Sequence, residues 1–234
     1  YYSMDSFTPL TRHSYPAARA AVDVALTGAD ILLNESPPGP VYSLTRPPGH
    51  HAERDLFGGF CYFNNGAIAA EYLSDRGRVA LLDVDFHHGN GAQQIFYERE
   101  DILTLSIHGD PKTAYPYFVG FSQERGQGAG LGYNVNYPLP EGTEDEVYLA
   151  TLRKACKRIA EHQPEHLVVA LGLDVSKDDP SGAFRVSKRG FHAMGETIAS
   201  LGIPTLLVQE GGYNLRHLGG NLEAFLSGWV KTLR

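Results

Sequence analysis

Residues 83–87 (DVDFH) place polar side chains at alternating positions. In an extended chain, alternate residues point to the same side, so Asp83, Asp85 and His87 would share one face. Carboxylates and an imidazole suit a divalent metal such as zinc, and catalytic zinc sites keep three protein ligands and one open position. Asp174 follows another apolar run and is the natural third ligand. Solvated carboxylates at a strand end, with histidines that cap nearby groups, are the structural alternative.

Two adjacent histidines, His50 and His51, follow a segment that prolines and a glycine make rigid. Near a metal-activated water, a neutral histidine can act as a general base and a protonated one as a general acid. Tyr213 ends a Gly-Gly turn, and a phenol can donate a hydrogen bond to an oxyanion. A surface loop for the histidines and an ordinary turn with a packed tyrosine are the alternatives.

The surrounding elements must position these residues. The predicted helices cover 17–33, 65–75, 91–97, 143–161, 187–200 and 221–233, and the predicted strands cover 41–44, 78–83, 102–107, 133–137, 167–171 and 204–209. Thr143 and Glu146 have the spacing of a capping box for the fourth helix. Near-continuous apolar strands that alternate with helices predict an α/β fold, a parallel sheet covered by helices on both faces. The polar motifs follow strands, where such folds bind ligands.

The composition excludes several classes of protein. A net charge of -7 with no basic block argues against nucleic-acid binding. Two cysteines, Cys61 and Cys156, cannot build a disulfide scaffold or a thiolate zinc site. There is neither an apolar run of membrane-spanning length nor a signal peptide, so we expect no membrane partner and a cytoplasmic location. The glycine-rich segment 126–132 leads into a predicted strand rather than a helix, which argues against nucleotide binding.

Taken together, the motifs resemble the histone deacetylase superfamily, most closely its acetylpolyamine amidohydrolase branch. The matching segments are RPPGHH (46–51), GGFCYFNN (58–65), DVDFHHGNG (83–91), SIH (106–108), LGLD (171–174) and EGGY (210–213). The resemblance implies an arginase/deacetylase-like three-layer α/β sandwich and a single catalytic domain over residues 1–234. In this family a first strand and long loops precede the position that matches Asp5. We expect these segments to be absent from the sequence, and a first residue other than methionine suggests the same.

The resemblance implies two kinds of bound ion. One zinc ion, or iron in the cell, would be held by Asp85, His87 and Asp174. Structural potassium ions would lie at two places. One, beside the zinc, would use Asp83, Asp85, His87, Ser106 and Ile107, and a more distant one would use Phe96, Arg99, Ile102 and Tyr133.

The resemblance also implies catalytic roles. His51 would be the general base for the attacking water, and His50, paired with Asp83, would help to protonate the leaving amine. Tyr213 would polarise the acetyl carbonyl and stabilise the tetrahedral oxyanion. Asn90 stands where many histone-directed members carry an acid. An amide cannot raise the pKa of His51 as a carboxylate would, which favours a neutral base.

The sequence leaves alternatives open for the substrate and for the class of reaction. Gly59, Phe60, Phe118 and Gly211 would line a narrow tunnel for an alkyl-ammonium chain, although the sequence alone favours core positions for the two phenylalanines. We expect a homodimeric zinc-dependent amidohydrolase of small cationic acetylated amines, first of all acetylpolyamines, with acetyl-lysine in proteins or peptides as the alternative substrate. A binuclear manganese ureohydrolase would need a second D-x-D near Asp174, which the sequence lacks. An inactive acetyl-amine binding module is disfavoured because every proposed catalytic position is filled.

Overall fold

The computed structural model describes residues 2–35 and 39–233. Its helices there are α1 (Ser14–Glu35), α2 (Asn65–Ser74), α3 (Asn90–Phe96), α4 (Asp145–His162), α5 (Lys188–Ala199) and α6 (Leu218–Lys231). Its strands are β1 (Tyr2–Ser3), β2 (Val41–Ser43), β3 (Leu56–Phe57), β4 (Val79–Asp83), β5 (Ile102–Gly109), β6 (Asn134–Leu139), β7 (His166–Leu171) and β8 (Thr205–Gln209). None of the helices in these ranges has the length and apolar character that crossing a bilayer requires.

Six strands form one sheet in the order β2-β8-β7-β4-β5-β6, and every neighbouring pair is parallel. β4 and β5 are buried along their whole length, and β4 accordingly appears in the sequence as an apolar run from Val79 to Leu82. The register places Asp83, the last residue of β4, opposite Ser106 of β5 and Ala170 of β7. The carboxyl ends of the central strands therefore meet at one edge of the sheet.

Helices cover both faces of this sheet, because successive residues of a strand point to opposite sides. Ala80 and Leu82 of β4 belong to a core that includes residues of α4, α5 and α6. Val79 and Leu81 belong to a second core that includes residues of α1, α2 and α3. The predicted three-layer α/β sandwich is confirmed.

The start of α4 differs from the prediction. The helix begins at Asp145, and the residue at its N-cap, Glu144, makes no side-chain cap hydrogen bond. The hydroxyl of Thr143 instead donates to the carbonyl of Pro140 at 2.7 Å. Because Glu144 rather than Thr143 occupies the N-cap, the predicted capping box between Thr143 and Glu146 is wrong.

A short parallel pair, β1 with β3, has no counterpart in the sequence analysis. Tyr2 lies opposite Leu56 and Ser3 opposite Phe57, and the N–H of Met4 continues the pairing by donating to the Phe57 carbonyl at 2.7 Å. Strands of two residues are too short to show any alternation of apolar and polar residues. The pair attaches the start of the described chain to the segment that leads into Gly58 and Gly59.

Candidate active site

Three donor side chains meet at the carboxyl edge of the sheet. Asp85 and His87 lie in the segment after β4, and Asp174 follows β7. Their donor atoms lie within 4.8 Å of one another, and both carboxylates are buried. His87 Nδ1 lies 3.1 Å from Asp85 Oδ1 and 3.0 Å from Asp174 Oδ2. The structure thus brings together the residues that the sequence analysis assigned to a metal.

The contacts of these carboxylates fit a divalent ion. Asp174 Oδ1 accepts the N–H of Phe86 at 2.8 Å, and Asp85 Oδ2 accepts the N–H of Gly211 at 2.8 Å. Asp174 Oδ2 is buried and accepts no hydrogen bond, although His87 Nδ1 is only 3.0 Å away. A buried carboxylate oxygen without a partner is costly, and a cation shared with His87 would satisfy it. Two carboxylates and an imidazole are ligands that zinc accepts.

Gly211 has a structural reason to be glycine. A Cβ at this position would lie 2.7 Å from Asp85 Oδ2 and 2.9 Å from Asp174 Oδ2. The resemblance assigned Gly211 to substrate binding, whereas the structure shows its N–H bonded to Asp85. The loop after β8 therefore approaches the donor carboxylates with its backbone.

His50 is held by a carboxylate. It is buried, and its Nδ1 lies 2.9 Å from Asp83 Oδ2, while Asp83 Oδ1 accepts the N–H of Asp85 at 3.0 Å. Burial by itself would lower the pKa of His50, but the negative charges of Asp85 and Asp83 raise it well above its ordinary value. His50 is therefore the proton-carrying member of the histidine pair.

His51 is held by an amide. Its ring is buried and lies 3.9 Å from the ring of His50, and its Nδ1 lies 2.7 Å from Asn90 Oδ1. Burial, together with the positive charges of His50 and His87, lowers the pKa of His51 well below its ordinary value. Since an amide oxygen only accepts, His51 carries its proton on Nδ1 and has a lone pair on Nε2. The two neighbouring histidines thus hold different protonation states.

Glu210 attaches the loop that carries both histidines to the end of β8. Its Oε2 accepts the N–H of Gly49 at 2.7 Å and the N–H of His50 at 3.1 Å, and the side chain is buried. The sequence analysis included Glu210 in a motif but gave it no role. Nothing local in the sequence indicates that this carboxylate reaches a loop so distant along the chain.

The predicted catalytic tyrosine, Tyr213, lies beside one of the two predicted tunnel aromatics, Phe60. The rings of Phe60 and Tyr213 are 6.0 Å apart. Phe60 is 46% exposed and Phe118 is 77% exposed, so the core position that the sequence favoured for both is wrong. The N–H of Tyr213 donates to Asp179 Oδ2 at 2.8 Å, which fixes the backbone of the tyrosine. Burial, with the charges of Asp85 and Asp174, raises the pKa of the Tyr213 phenol, so it remains a donor.

Tyr115 packs against two histidines of the site, and the sequence analysis missed it. Its ring meets the ring of His51 edge to face, with centroids 4.9 Å apart, and lies 6.3 Å from the ring of His87. Its hydroxyl donates to Asp5 Oδ2 at 2.9 Å, and the same oxygen accepts the N–H of Gly59 at 2.6 Å. Tyr115 is one of two tyrosines in the long loop 112–132, and nothing in the sequence distinguishes it from Tyr117.

The two residue sets assigned to potassium lie at different places. Ser106 and Ile107 are in β5, next to the end of β4, and Ser106 Oγ lies 2.8 Å from His108 Nδ1. In the second set, the carbonyls of Phe96 and Tyr133 accept backbone N–H groups, from Arg99 at 3.0 Å and from Thr104 at 2.9 Å. Potassium binding at either place stays a prediction.

Comparisons with known proteins agree on one family. The family model described as the histone deacetylase domain matches residues 2–229. Acetylpolyamine amidohydrolase 1 of Pseudomonas aeruginosa is 47% identical over 236 residues, which cover 100% of this chain and 68% of that protein. The acetylpolyamine amidohydrolase of Mycoplana ramosa is 44% identical over 230 residues, 97% of this chain and 67% of the relative.

A solved structure gives the same result. The crystal structure of acetylpolyamine aminohydrolase from Burkholderia pseudomallei aligns with a TM-score of 0.93 and 45% sequence identity. The alignment covers 96% of this chain and 66% of that one. The chain described above thus spans about two thirds of the length of the proteins it matches.

Proposed function

This chain belongs to the histone deacetylase family, and from that premise we propose that it hydrolyses acetylated polyamines to acetate and the free amine. The observation that carries the proposal is the identity of 44 to 47% to four curated relatives that bear the name acetylpolyamine amidohydrolase. The arrangement of donors, tandem histidines and tyrosine supports the same chemistry. The proposal includes the homodimer predicted above.

Asp85, His87 and Asp174 would hold one divalent ion, with zinc as the metal we propose. A bound zinc ion would polarise the acetyl carbonyl and lower the pKa of water toward about 7. The chain itself contributes the orientation of the donors. The backbone N–H of Phe86 holds Oδ1 of Asp174, which leaves Oδ2 of Asp174 without a hydrogen bond. Both oxygens of Asp85 accept backbone N–H groups, Oδ2 from Gly211 and Oδ1 from His87, so the orientation of this carboxylate is fixed.

His51 is the group suited to take a proton from the attacking water. Its depressed pKa keeps the ring neutral, and the bond from Nδ1 to Asn90 leaves Nε2 as the basic atom. The edge of the Tyr115 ring packs on one side of the imidazole and excludes bulk water there. A base held in one tautomer and one orientation needs no rearrangement at the moment of proton transfer.

His50 and Tyr213 are suited to the later charge changes. The negative charges of Asp85 and Asp83 keep the His50 ring protonated, with its Nδ1–H bonded to Asp83. The proton on Nε2 is therefore the one available for the leaving amine. Tyr213 keeps its phenolic proton and can donate it as a hydrogen bond to the carbonyl oxygen as negative charge develops. Base, acid and oxyanion donor are therefore three separate groups.

Two exposed aromatic side chains suit the binding of a cationic alkyl chain. Phe60 and Phe118 are exposed aromatic rings, and an ammonium group is attracted to the face of such a ring. The overall charge of -7 acts in the same direction. These features, with the branch of the relatives, favour a small polyamine over a protein side chain.

A binuclear manganese enzyme is a poor fit. In residues 2–35 and 39–233, the side chains able to hold a metal form two groups, and the second consists of His50, Cys61 and Glu210. Manganese prefers carboxylate and other oxygen ligands, whereas this group offers a thiol, an imidazole already bonded to Asp83 and one carboxylate. We therefore propose a single catalytic ion.

The test compares kcat/KM of zinc-loaded protein for acetylputrescine and for an acetyl-lysine peptide. We expect the acetylpolyamine to be preferred by about tenfold or more, a difference of about 1.4 kcal/mol in transition-state binding. A preference for the peptide would replace the proposed substrate by acetyl-lysine. Absence of turnover for both, with binding retained, would support an inactive binding module instead.

A further inference from the structure

Asn90 connects His51 to a carboxylate that none of the roles above uses. Asn90 is buried, and its Oδ1 faces His51 Nδ1 at 2.7 Å. Its Nδ2 donates to Glu53 Oε1 at 2.7 Å and to the backbone carbonyl of His51 at 3.2 Å. Glu53, Asn90 and His51 thus form a chain of hydrogen bonds that ends on the catalytic base.

The carboxylate determines which way the amide points. A carboxylate accepts hydrogen bonds and donates none when ionised, so only the NH2 end of Asn90 can face Glu53. If the amide turned over, Oδ1 would lie against the Glu53 carboxylate and the NH2 group would face His51 Nδ1. That arrangement would favour the tautomer with its proton on Nε2, which has no lone pair directed to the site.

We propose that Glu53 is a positioning residue that fixes the Asn90 amide and, through it, the tautomer of His51. The bond to Glu53 is short and charge-assisted, which makes it the strongest of the three acceptor contacts of Nδ2, the others being the His51 carbonyl and Met4 Sδ at 3.8 Å. Glu53 is itself held in place, since its backbone N–H donates to the Leu56 carbonyl at 2.9 Å, next to the β1–β3 pair. Its side chain is half-buried.

His50 contacts the carboxylate of Asp83 directly. His51 instead contacts the Asn90 amide, and the carboxylate of Glu53 lies on the other side of that amide. Asn90 transmits the orientation that Glu53 imposes but carries no charge, so His51 keeps its low pKa. The kinetic consequence of this inference rests on the proposed function, because it presumes that His51 acts as a base. The tautomer itself does not depend on the substrate.

The test uses Glu53→Ala, which removes the acceptor, and Glu53→Gln, which removes the charge but keeps an oxygen that accepts from Asn90. Asp55→Ala is the matched control, because it removes a neighbouring exposed carboxylate. Long-range 1H–15N spectra of zinc-loaded, 15N-histidine-labelled protein report which ring nitrogen of His51 carries the proton. The His51→Asn variant identifies the signals of His51.

We expect His51 to be protonated on Nδ1 in the wild type, in Glu53→Gln and in the control, and to lose this preference in Glu53→Ala.

The kcat of Glu53→Ala should fall about tenfold or more with little change in KM, because general-base catalysis is weakened. Glu53→Gln should restore most of it. In an Asn90→Ala background, Glu53→Ala should change kcat less than about twofold, because the two residues act in one chain.

An unchanged His51 tautomer in Glu53→Ala would overturn the inference, whatever the activity. So would equal losses of kcat in Glu53→Ala and Glu53→Gln, because the charge rather than the acceptor would then be responsible. If the wild type turned over no acetylated amine, the proposed function would fail, but the spectra would still test the positioning role. Should Glu53→Ala not fold, Glu53→Leu removes the same acceptor with a side chain of similar size. It should likewise lose the preference for Nδ1, and an unchanged tautomer in that variant would overturn the inference.

Discussion

His50 Nδ1 and Asp83 Oδ2 share a buried hydrogen bond of 2.9 Å. The adjacent histidine, His51, has an amide in the corresponding place. Two imidazoles with ring centroids 3.9 Å apart therefore differ in charge because their partners differ in charge. Several expected outcomes depend on this difference.

Asn90→Asp should move the pH dependence of kcat/KM. His51 accepts a proton only when neutral, so activity rises as pH passes upward through its pKa, which lies below the ordinary histidine value. A carboxylate beside Nδ1 raises that pKa, so the acidic limb should shift to higher pH by about one unit or more. The measurement is a pH profile of kcat/KM, with the exposed Asn34→Asp as control. An unmoved limb would remove His51 as the titrating base.

Tyr213→Phe should keep its metal and lose turnover. The substitution removes only the hydroxyl that donates to the developing oxyanion, so kcat should fall by about a hundredfold. Metal analysis and steady-state kinetics on the same preparation separate the two effects. Tyr2→Phe removes a hydroxyl from an exposed ring and should behave as the wild type. Normal turnover by Tyr213→Phe would exclude the phenol from catalysis.

Asp174→Ala should lose the metal. The carboxylate offers the unpartnered Oδ2, so its removal should weaken zinc binding by more than about a hundredfold. It also leaves the N–H of Phe86 without its acceptor, so the melting temperature should fall. Zinc content after dialysis is the measurement, and Glu146→Ala, on the exposed side of α4, is the control. Stoichiometric zinc in Asp174→Ala would mean that another residue completes the site.

Gly59→Ala should inactivate the protein for a steric reason. A Cβ at Gly59 would overlap the His51 ring, and the backbone there has φ +56. Gly202 has a similar φ of +63 with open space around its Cβ position, which makes Gly202→Ala a control for backbone strain. Both variants should lose about 1 kcal/mol of unfolding free energy, since L-residues disfavour this region. Equal activity of the two variants would contradict the close packing of Gly59 on His51.

The two cysteines should be unreactive in the folded protein. Cys61 is fully buried and Cys156 nearly so, and burial raises the pKa of Cys61 and brings that of Cys156 to about 12. Because the thiolate is the reacting form, a thiol reagent should label neither at neutral pH. After unfolding in denaturant, both of the 2 cysteines should react. Rapid labelling before unfolding would show that one of them becomes accessible in the native state.

The sequence predicts most strands of the sheet and the edge of the sheet at which the donor side chains lie. β4 and β7 are short, mostly apolar runs. Asp85 comes two residues after the end of β4 and Asp174 three residues after the end of β7, which is enough to place both at one edge of a parallel sheet. The alternation from Asp83 to His87 indicates a shared face. These inferences depend on local patterns only.

Two kinds of feature could not be predicted from the sequence. They are contacts between distant segments and the exact residue at which a helix begins. Glu210 and Tyr115 reach the loop of the two histidines from other parts of the chain, and Glu53 reaches Asn90 across 37 positions. Nothing in the neighbourhood of these residues in the chain marks the contacts. The capping box failed for a local reason, because the helix begins with Glu144 rather than Thr143 at its N-cap. The exposure of Phe60 and Phe118 likewise follows from loops whose course the composition does not reveal.

The order of strands in the sheet also has a consequence for how the protein folds. The bond from Phe86 to Asp174 spans 88 positions and that from Gly211 to Asp85 spans 126. Parallel pairing between such remote segments makes folding slow, because the loops must close before the contacts that stabilise them exist. The donors therefore come together only when β7 has docked beside β4, and Gly211 reaches Asp85 only when β8 has docked beside β7. Metal capture should accordingly follow formation of the sheet rather than nucleate it, and regained metal binding during refolding would report completion of the native fold.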